Sequence, residues 1–99
     1  QRRTGGKHQI GHAIDVAAYV GKTLSWTSIW YPPIAEAMRQ ASVELSVPLT
    51  YGCIWDRELG LLTESIEHEI ELYVARKGGK GFLDWGHFEL RLTTGFTTA

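Results

Sequence analysis

The sequence has few of the residues that cross-link or stiffen a chain. Its 99 residues include one cysteine, Cys53, with three prolines and one methionine. A single cysteine cannot form an internal disulfide, so a domain of this size must be stabilised by its apolar core or by a bound metal. The lone thiol also fits synthesis in a reducing compartment.

An excess of one charge and a long apolar run are also missing. Ten basic side chains stand against eleven acidic ones, and the basic ones are scattered or in short pairs, so no nucleic-acid-binding surface is indicated. No apolar run approaches the roughly 20 residues that span a bilayer, and no charged-then-apolar leader opens the chain. We therefore expect one domain over residues 1–99 that neither binds nucleic acid nor inserts into a membrane.

The hydrophobic pattern predicts an α+β domain, with a small, mainly antiparallel β-sheet flanked by helices. Alternating or β-branched segments predict strands, and apolar residues at intervals of three and four predict helices. Strands are expected over 13–20, 49–55 and 82–92, a helix over 31–46, and a second helix or ordered loop over 63–76. The glutamates between residues 64 and 71 are interpreted as a solvated helix face, with cation binding or substrate contact as the alternative.

Residues 8–15, with the sequence HQIGHAID, hold two imidazoles and a carboxylate. His8 and His12 have the spacing of two zinc ligands on a helix, as in the His-Glu-x-x-His motif. Gln9 stands where that motif needs a glutamate, and Gly11 followed by β-branched residues argues against a helix. The spacing therefore does not indicate that class of metalloprotease.

A different metal site is compatible with the same residues. His8 would lie on a loop, Asp15 on the strand that follows, and His87 on a distant strand, where alternation with Phe88 turns the imidazole away from the core. Three such nitrogen and oxygen ligands satisfy zinc and keep a fourth position open for water. Asp84, three residues before His87, could take a proton from that water. A histidine or aspartate beside a turn is more often a solvated cap, so spacing alone leaves both interpretations open.

Two motifs resemble one known family. The segment HQIGHAID at 8–15 matches His-x-x-Gly-x-Ala-x-Asp, and DWGHFEL at 84–90 matches Asp-x-x-His-Phe/Val-Glu-Leu. Both are motifs of the phage L-alanyl-D-glutamate peptidases, zinc endolysins related to D-alanyl-D-alanine carboxypeptidases and VanX-type dipeptidases. The likeness runs from about residue 7 to residue 90, and the intervening segments follow the family's order.

The resemblance implies a function and a role for each matched residue. It implies a hedgehog/DD-peptidase-like zinc peptidase fold in which His8, Asp15 and His87 bind Zn²⁺ and Asp84 is the catalytic general base. The implied reaction is hydrolysis of the L-alanyl-D-glutamate bond in the bacterial peptidoglycan stem peptide, leading to bacteriolysis. Such a protein is expected to be a monomer that is made in the host cytoplasm and acts on the cell wall.

One feature of the family is not matched. Members carry a helix and a strand ahead of the first zinc ligand, including an arginine in a Gly-x-Arg-Thr-like segment. Arg3 lies only five residues before His8, too close to be that arginine, so its role is not transferred. We therefore expect the upstream part of the domain to be missing from this chain; the alternative is that the function of that arginine is absent.

Two other functions fit the same residues. One is a related peptidase with another bond preference, such as a D-alanyl-D-alanine carboxypeptidase or dipeptidase, because the metal chemistry is shared. The other is a non-enzymatic zinc-containing binding module, because hedgehog signalling domains resemble this fold and keep a similar metal site. Asp84 favours an enzyme over the binding module.

Overall fold

A computed structural model describes residues 13–25 and 28–91 of the protein. They form a small α+β unit of short antiparallel strands and two helices, in agreement with the predicted class. The elements are β1 (Ala13–Asp15), β2 (Ala18–Val20), β3 (Thr23–Ser25), a 3-10 turn (Ser28–Trp30), α1 (Tyr31–Leu45), β4 (Leu49–Tyr51), a second 3-10 turn (Leu59–Leu61), α2 (Ile66–Arg76) and β5 (His87–Leu90).

The central strand of the main sheet is β5. It pairs antiparallel with β1 on one side and with β4 on the other. Because side chains alternate along a strand, Phe88 lies on the core face, where its ring stacks on that of Tyr51 at a centroid distance of 4.8 Å. His87 and Glu89 share the opposite face, so β5 separates the core from a polar surface.

The prediction of one continuous strand over 13–20 is wrong, because the structure has two short strands there. The chain forms β1, leaves the sheet at Val16 and Ala17, and then forms a separate hairpin of β2 and β3. The backbone N–H of Val16 still donates to the carbonyl of Gly86 at 2.7 Å, in the register of β1 on β5, so the chain turns away from β5 after this bond. The hairpin is attached to α1 by Tyr31, whose hydroxyl donates to the carbonyl of Ser25 at 2.9 Å and accepts from the N–H of Ala18 at 3.3 Å.

The predicted strands over 49–55 and 82–92 are both longer than the observed ones. After Tyr51 the chain turns, and the N–H of Ile54 donates to the carbonyl of Tyr51 at 3.0 Å. Residues 82–86 are a loop, so β5 begins only at His87. Apart from Phe82, which is 66 % exposed, the apolar and aromatic residues in these turns are partly or fully buried, which gave them the composition of strands without the extended backbone.

The helix predicted over 31–46 is confirmed. Pro32 lies in the first turn of α1, where a missing N–H leaves no acceptor unpaired. The helix ends at Leu45, and Ser46 takes the left-handed conformation with φ 56°. Ala35 and Ser42 are buried as the apolar stripe predicts, whereas Leu45 is 71 % exposed because it lies in the last turn, beyond the core.

The second predicted helix is also confirmed, as α2. Its N-cap is Ser65, whose side chain accepts from the N–H of His68 at 3.1 Å, and Gly78 and Gly79 follow it with positive φ. Glu69 contradicts the predicted solvated face, because it is buried and its Oε2 accepts from the backbone N–H groups of residues 63 and 64 at 3.2 and 3.0 Å.

The core lies between the sheet and the two helices. Its buried members are Ala35, Tyr51, Cys53, Ile54, Leu59, Ile66, Ile70, Tyr73 and Phe88. Among residues 13–25 and 28–91, neither helix is long and apolar enough to cross a bilayer. The sheet face turned away from this core carries the polar cluster described next.

Candidate metal centre

Asp15 and His87 face each other across two paired strands. The register of β1 against β5 sets them directly opposite, so their side chains project from the same face of the sheet. Asp15 Oδ1 lies 3.2 Å from His87 Nδ1. The structure therefore brings together two predicted metal ligands that are separated by 71 residues of sequence.

Asp84 joins this pair through the turn that precedes β5. One ligand atom from each of Asp15, Asp84 and His87 lies within 4.8 Å of the others. The backbone N–H of His87 donates to the carbonyl of Asp84 at 3.2 Å, which closes the turn and turns the carboxylate back beside the imidazole. Asp84 and His87 are thus three residues apart because they are the first and last residues of one hydrogen-bonded turn.

Gly52 holds this turn against the sheet. Its N–H donates to the carbonyl of His87 at 2.8 Å, and its carbonyl accepts from the N–H of Asp84 at 2.9 Å. A Cβ at this position would lie 2.3 Å from the carbonyl oxygen of Asp84 and 2.9 Å from the Cβ of His87. Only glycine permits so close an approach, so residue 52 fixes where the carboxylate and imidazole sit.

Two further backbone contacts fix the middle of the turn. The hydroxyl of Tyr51 donates to the carbonyl of Trp85 at 2.8 Å. Gly86 packs against the backbone of Val16, where a Cβ would lie 2.2 Å from the carbonyl oxygen. Residues 84–87 are therefore held from β4 on one side and from the chain after β1 on the other.

The imidazole of His87 is surrounded on both edges and on one face. Its Nε2 lies 2.8 Å from Glu89 Oε1, its Nδ1 faces Asp15, and the ring of Trp55 lies over it at a centroid distance of 5.2 Å. The His87 side chain is 10 % exposed, whereas that of Asp15 is 63 % exposed. One candidate ligand is thus enclosed by protein and the other is open to solvent.

The donor set suits a divalent metal. Two atoms bound to one tetrahedral zinc at about 2.0–2.2 Å lie roughly 3.4 Å apart, close to the 3.2 Å between Asp15 Oδ1 and His87 Nδ1. Nitrogen and carboxylate oxygen are ligands that zinc accepts. In a neutral ring whose Nε2–H donates to Glu89, Nδ1 carries a lone pair that faces the lone pairs of Asp15. A cation between these two atoms relieves that repulsion, so the residues fit a metal.

His8, the remaining predicted ligand, lies outside the described residues, as does His12. Its role as a zinc ligand therefore stays a prediction. The described part of the proposed set comprises Asp15, Asp84 and His87.

A cleft of about 460 Å³ adjoins the acidic side of the cluster. Asp15 and Asp84 are among its walls, together with apolar or small residues that include Val16, Leu83 and Trp85. This volume is in the range of small-molecule and peptide sites. The carboxylates therefore border a space that a short peptide could enter.

Two buried groups beside the cluster remain protonated and do not compete for a metal. Burial raises the pKa of the Cys53 thiol to about 12 and raises the pKa of the Tyr51 hydroxyl above its usual range. Both groups stay protonated at neutral pH, so neither competes with the carboxylates and imidazole for a metal.

Sequence reasoning missed three residues that shape this site. Glu89 was visible in the DWGHFEL motif two positions after His87, which on a strand means the same face. Trp55 and Gly52 carried no comparable signal, because their contacts depend on how the turn after β4 folds against residues 84–87.

Comparison with known proteins gives one assignment. No curated protein and no solved structure is matched by this chain. The model of one family matches residues 2–91, and its description is phage L-alanyl-D-glutamate peptidase. This match covers nearly the whole chain and includes both motifs, and the family name indicates a peptidase that acts on peptidoglycan. The chain belongs to the phage L-alanyl-D-glutamate peptidase family.

Proposed function

We propose that this protein is a zinc-dependent endopeptidase that hydrolyses the bond between L-alanine and D-glutamate in the peptidoglycan stem peptide, and so lyses bacterial cells. The observation that carries the proposal is the meeting of Asp15, Asp84 and His87 beside a peptide-sized cleft. The family name supports the choice of bond.

Each residue has a separate task in this proposal. His87 and Asp15 hold the metal through Nδ1 and a carboxylate oxygen, and His8 is the predicted third ligand. Zinc, when bound, supplies a Lewis acid and lowers the pKa of a coordinated water. Asp84 is the general base, because its carboxylate lies within reach of the same point while Gly52 holds its backbone.

The proton transfers follow from the position of Asp84. Its carboxylate accepts a proton from the attacking water as the oxygen bonds to the carbonyl carbon of L-alanine. The protonated Asp84 then gives that proton to the leaving nitrogen of D-glutamate as the C–N bond breaks. The products are a new L-alanine carboxyl group and a new D-glutamyl amino group, with Asp84 restored.

The cleft supports a peptide substrate over a metal-binding role alone. Its walls next to Asp84 are Val16, Leu83 and Trp85, which are apolar, together with Ala17 and Gly86, which are small. Small residues let a peptide backbone approach closely, and apolar walls suit the methyl group of alanine. The placing of a carboxylate, Asp84, in the wall of this cleft supports an enzyme over a non-enzymatic zinc-containing binding module.

The test is mass spectrometry of stem-peptide fragments after purified peptidoglycan is digested by the zinc-loaded protein. The expected products carry new D-glutamyl amino ends. A synthetic peptide containing L-Ala-D-Glu should be cut, while a matched peptide containing L-Ala-L-Glu serves as the stereochemical control.

Two outcomes would contradict the proposal in different ways. Release of free D-alanine alone would indicate a D-alanyl-D-alanine peptidase and would overturn the bond assignment. Intact peptidoglycan after incubation with protein that holds about one zinc per chain would favour the non-enzymatic binding module.

A further inference from the structure

The carboxylate of Glu89 lies beside the Nε2 edge of the His87 imidazole. The two residues lie on the same face of β5, and Oε1 of the glutamate is 2.8 Å from Nε2 of the imidazole. The Glu89 side chain is only 15 % exposed. A carboxylate this enclosed needs polar partners, and the imidazole edge is one of them.

The sheet leaves room for this carboxylate. Glu89 is paired with Ala13 on β1 and with Thr50 on β4, and both neighbours are small and buried. The hydroxyl oxygen of Thr50 already accepts from Arg91 Nη1 at 3.0 Å. The Glu89 side chain thus has room on this face of the sheet, and its backbone is held by a neighbouring strand on each side.

The contact determines which nitrogen of His87 is available. A neutral imidazole has one N–H and one lone pair. If Nε2 carries the hydrogen and donates to Glu89, the lone pair is on Nδ1, which faces Asp15 Oδ1 at 3.2 Å. The opposite tautomer would set the Nε2 lone pair against a carboxylate and would direct N–H toward the metal side.

We propose that Glu89 is a positioning residue that holds His87 in the tautomer with Nε2 protonated and Nδ1 presented to the metal. The inference rests on the metal site of the proposed function. In this role Glu89 orients the imidazole ring and does not itself bind metal or substrate. The ring of Trp55 over the imidazole limits rotation away from this orientation.

The experiment compares the zinc affinity of three variants of the full chain by competition with a chromophoric chelator. Glu89→Ala is expected to weaken zinc binding by about 10–100-fold. Glu89→Gln should recover most of that loss, because its amide oxygen can accept the same hydrogen bond. Glu69→Ala is the matched control: it removes another buried carboxylate, which accepts hydrogen bonds from the backbone N–H groups of residues 63 and 64.

The control should lower stability without changing the zinc affinity of the folded protein. Long-range ¹H–¹⁵N NMR of the zinc-loaded wild type gives a second measurement, in which Nε2 of His87 should carry the proton. Protonation at Nδ1 would overturn the proposal even if every variant failed to fold.

The remaining outcomes separate this inference from the function on which it rests. Wild-type protein that binds zinc and cuts peptidoglycan, with Glu89→Ala binding zinc equally well, would overturn the role of Glu89 alone. An equal loss of zinc affinity in Glu89→Ala and Glu69→Ala would also overturn it, since the effect would then come from the fold. Wild-type protein that binds no zinc would overturn both proposals.

Discussion

The two sides of the candidate metal centre are built differently. Asp15 projects from β1, a three-residue strand paired with β5, and its side chain is largely exposed. His87 is enclosed by Glu89 and Trp55, and the turn that leads to it is hydrogen-bonded to Gly52. Residues 84–87 are therefore fixed by contacts with the rest of the fold, whereas Asp15 is an exposed candidate ligand whose side chain has little effect on the fold.

The strongest test of this difference is to remove one ligand from each side. His87→Ala should abolish cleavage and also lower the free energy of unfolding of the metal-free protein by about 2–4 kcal/mol, because it leaves a cavity and removes a partner of Glu89. Asp15→Ala should also abolish cleavage but change that free energy by less than about 0.5 kcal/mol, as expected for an exposed side chain.

Urea denaturation in the presence of a chelator measures the free energies, and chelator competition measures zinc binding. Equal destabilisation by the two substitutions would show that the two sides are equally part of the core.

A second substitution separates chemistry from metal binding within the 84–87 side. Asp84→Asn keeps the shape of the side chain but removes the proposed general base, so cleavage should fall by about 10²–10⁴-fold while zinc stays bound. Peptide hydrolysis rates and zinc content of the purified variant measure the two effects. Loss of zinc together with activity would instead identify Asp84 as a ligand.

A third substitution acts on the contact that holds residues 84–87. Gly52→Ala places a methyl group against the carbonyl of Asp84 and the Cβ of His87, so it should lower the free energy of unfolding by about 1–3 kcal/mol and weaken zinc binding. Gly21→Ala is the control, because position 21 has positive φ and open space around its Cβ.

That control should lower stability by about 1 kcal/mol through backbone strain alone and leave zinc affinity unchanged. If both substitutions spared zinc binding equally, the close approach of Gly52 to Asp84 and His87 would have no role in forming the site.

The smallest expected effect concerns an ion pair away from the centre. Arg76 donates to both carboxylate oxygens of Asp56 at 2.9 and 2.8 Å, which lowers the pKa of Asp56 below its usual value. The pair therefore stabilises the fold fully above the ordinary carboxyl pKa of about 3.9, and this contribution is lost as pH falls through the lower pKa of the folded state.

Urea midpoints of wild type and Asp56→Asn should accordingly differ by a small, constant amount between pH 7 and about pH 5 and converge below about pH 4. Zinc affinity at neutral pH should be the same in both. A difference that grew on acidification would contradict the assigned direction of the pKa shift.

The sequence predicted the parts of the fold that have local causes. Pro32 marks the start of α1, Gly78 and Gly79 follow the end of α2, and alternation around Phe88 correctly assigned His87 to the face away from the core. These features depend on residues close together in sequence, so a single chain is enough to recognise them. The family resemblance, confirmed by the match over residues 2–91, added the pairing of the two motifs.

The parts that could not be predicted depend on contacts between distant segments. The opposition of Asp15 and His87 is set by the register of β1 on β5, and the end of β4 is set by the packing of Gly52 against Asp84. No pattern within one segment encodes such contacts. The burial of Glu69 differs, because its cause is local: the loop five and six residues before it folds back to donate its N–H groups, and the spacing of the glutamates gave no sign of this.

Cys53 follows directly after the glycine that fixes residues 84–87, and its side chain is fully buried. Only a thiolate attacks an alkylating reagent, so with a pKa of about 12 this sulfur reacts at neutral pH only when its surroundings come apart. Its alkylation rate therefore measures how often the segment that supports the candidate metal centre opens. A ligand that binds the closed form lowers the alkylation rate in proportion to the fraction of protein that is bound. The one natural thiol can therefore report metal binding without a substrate and without an introduced cysteine.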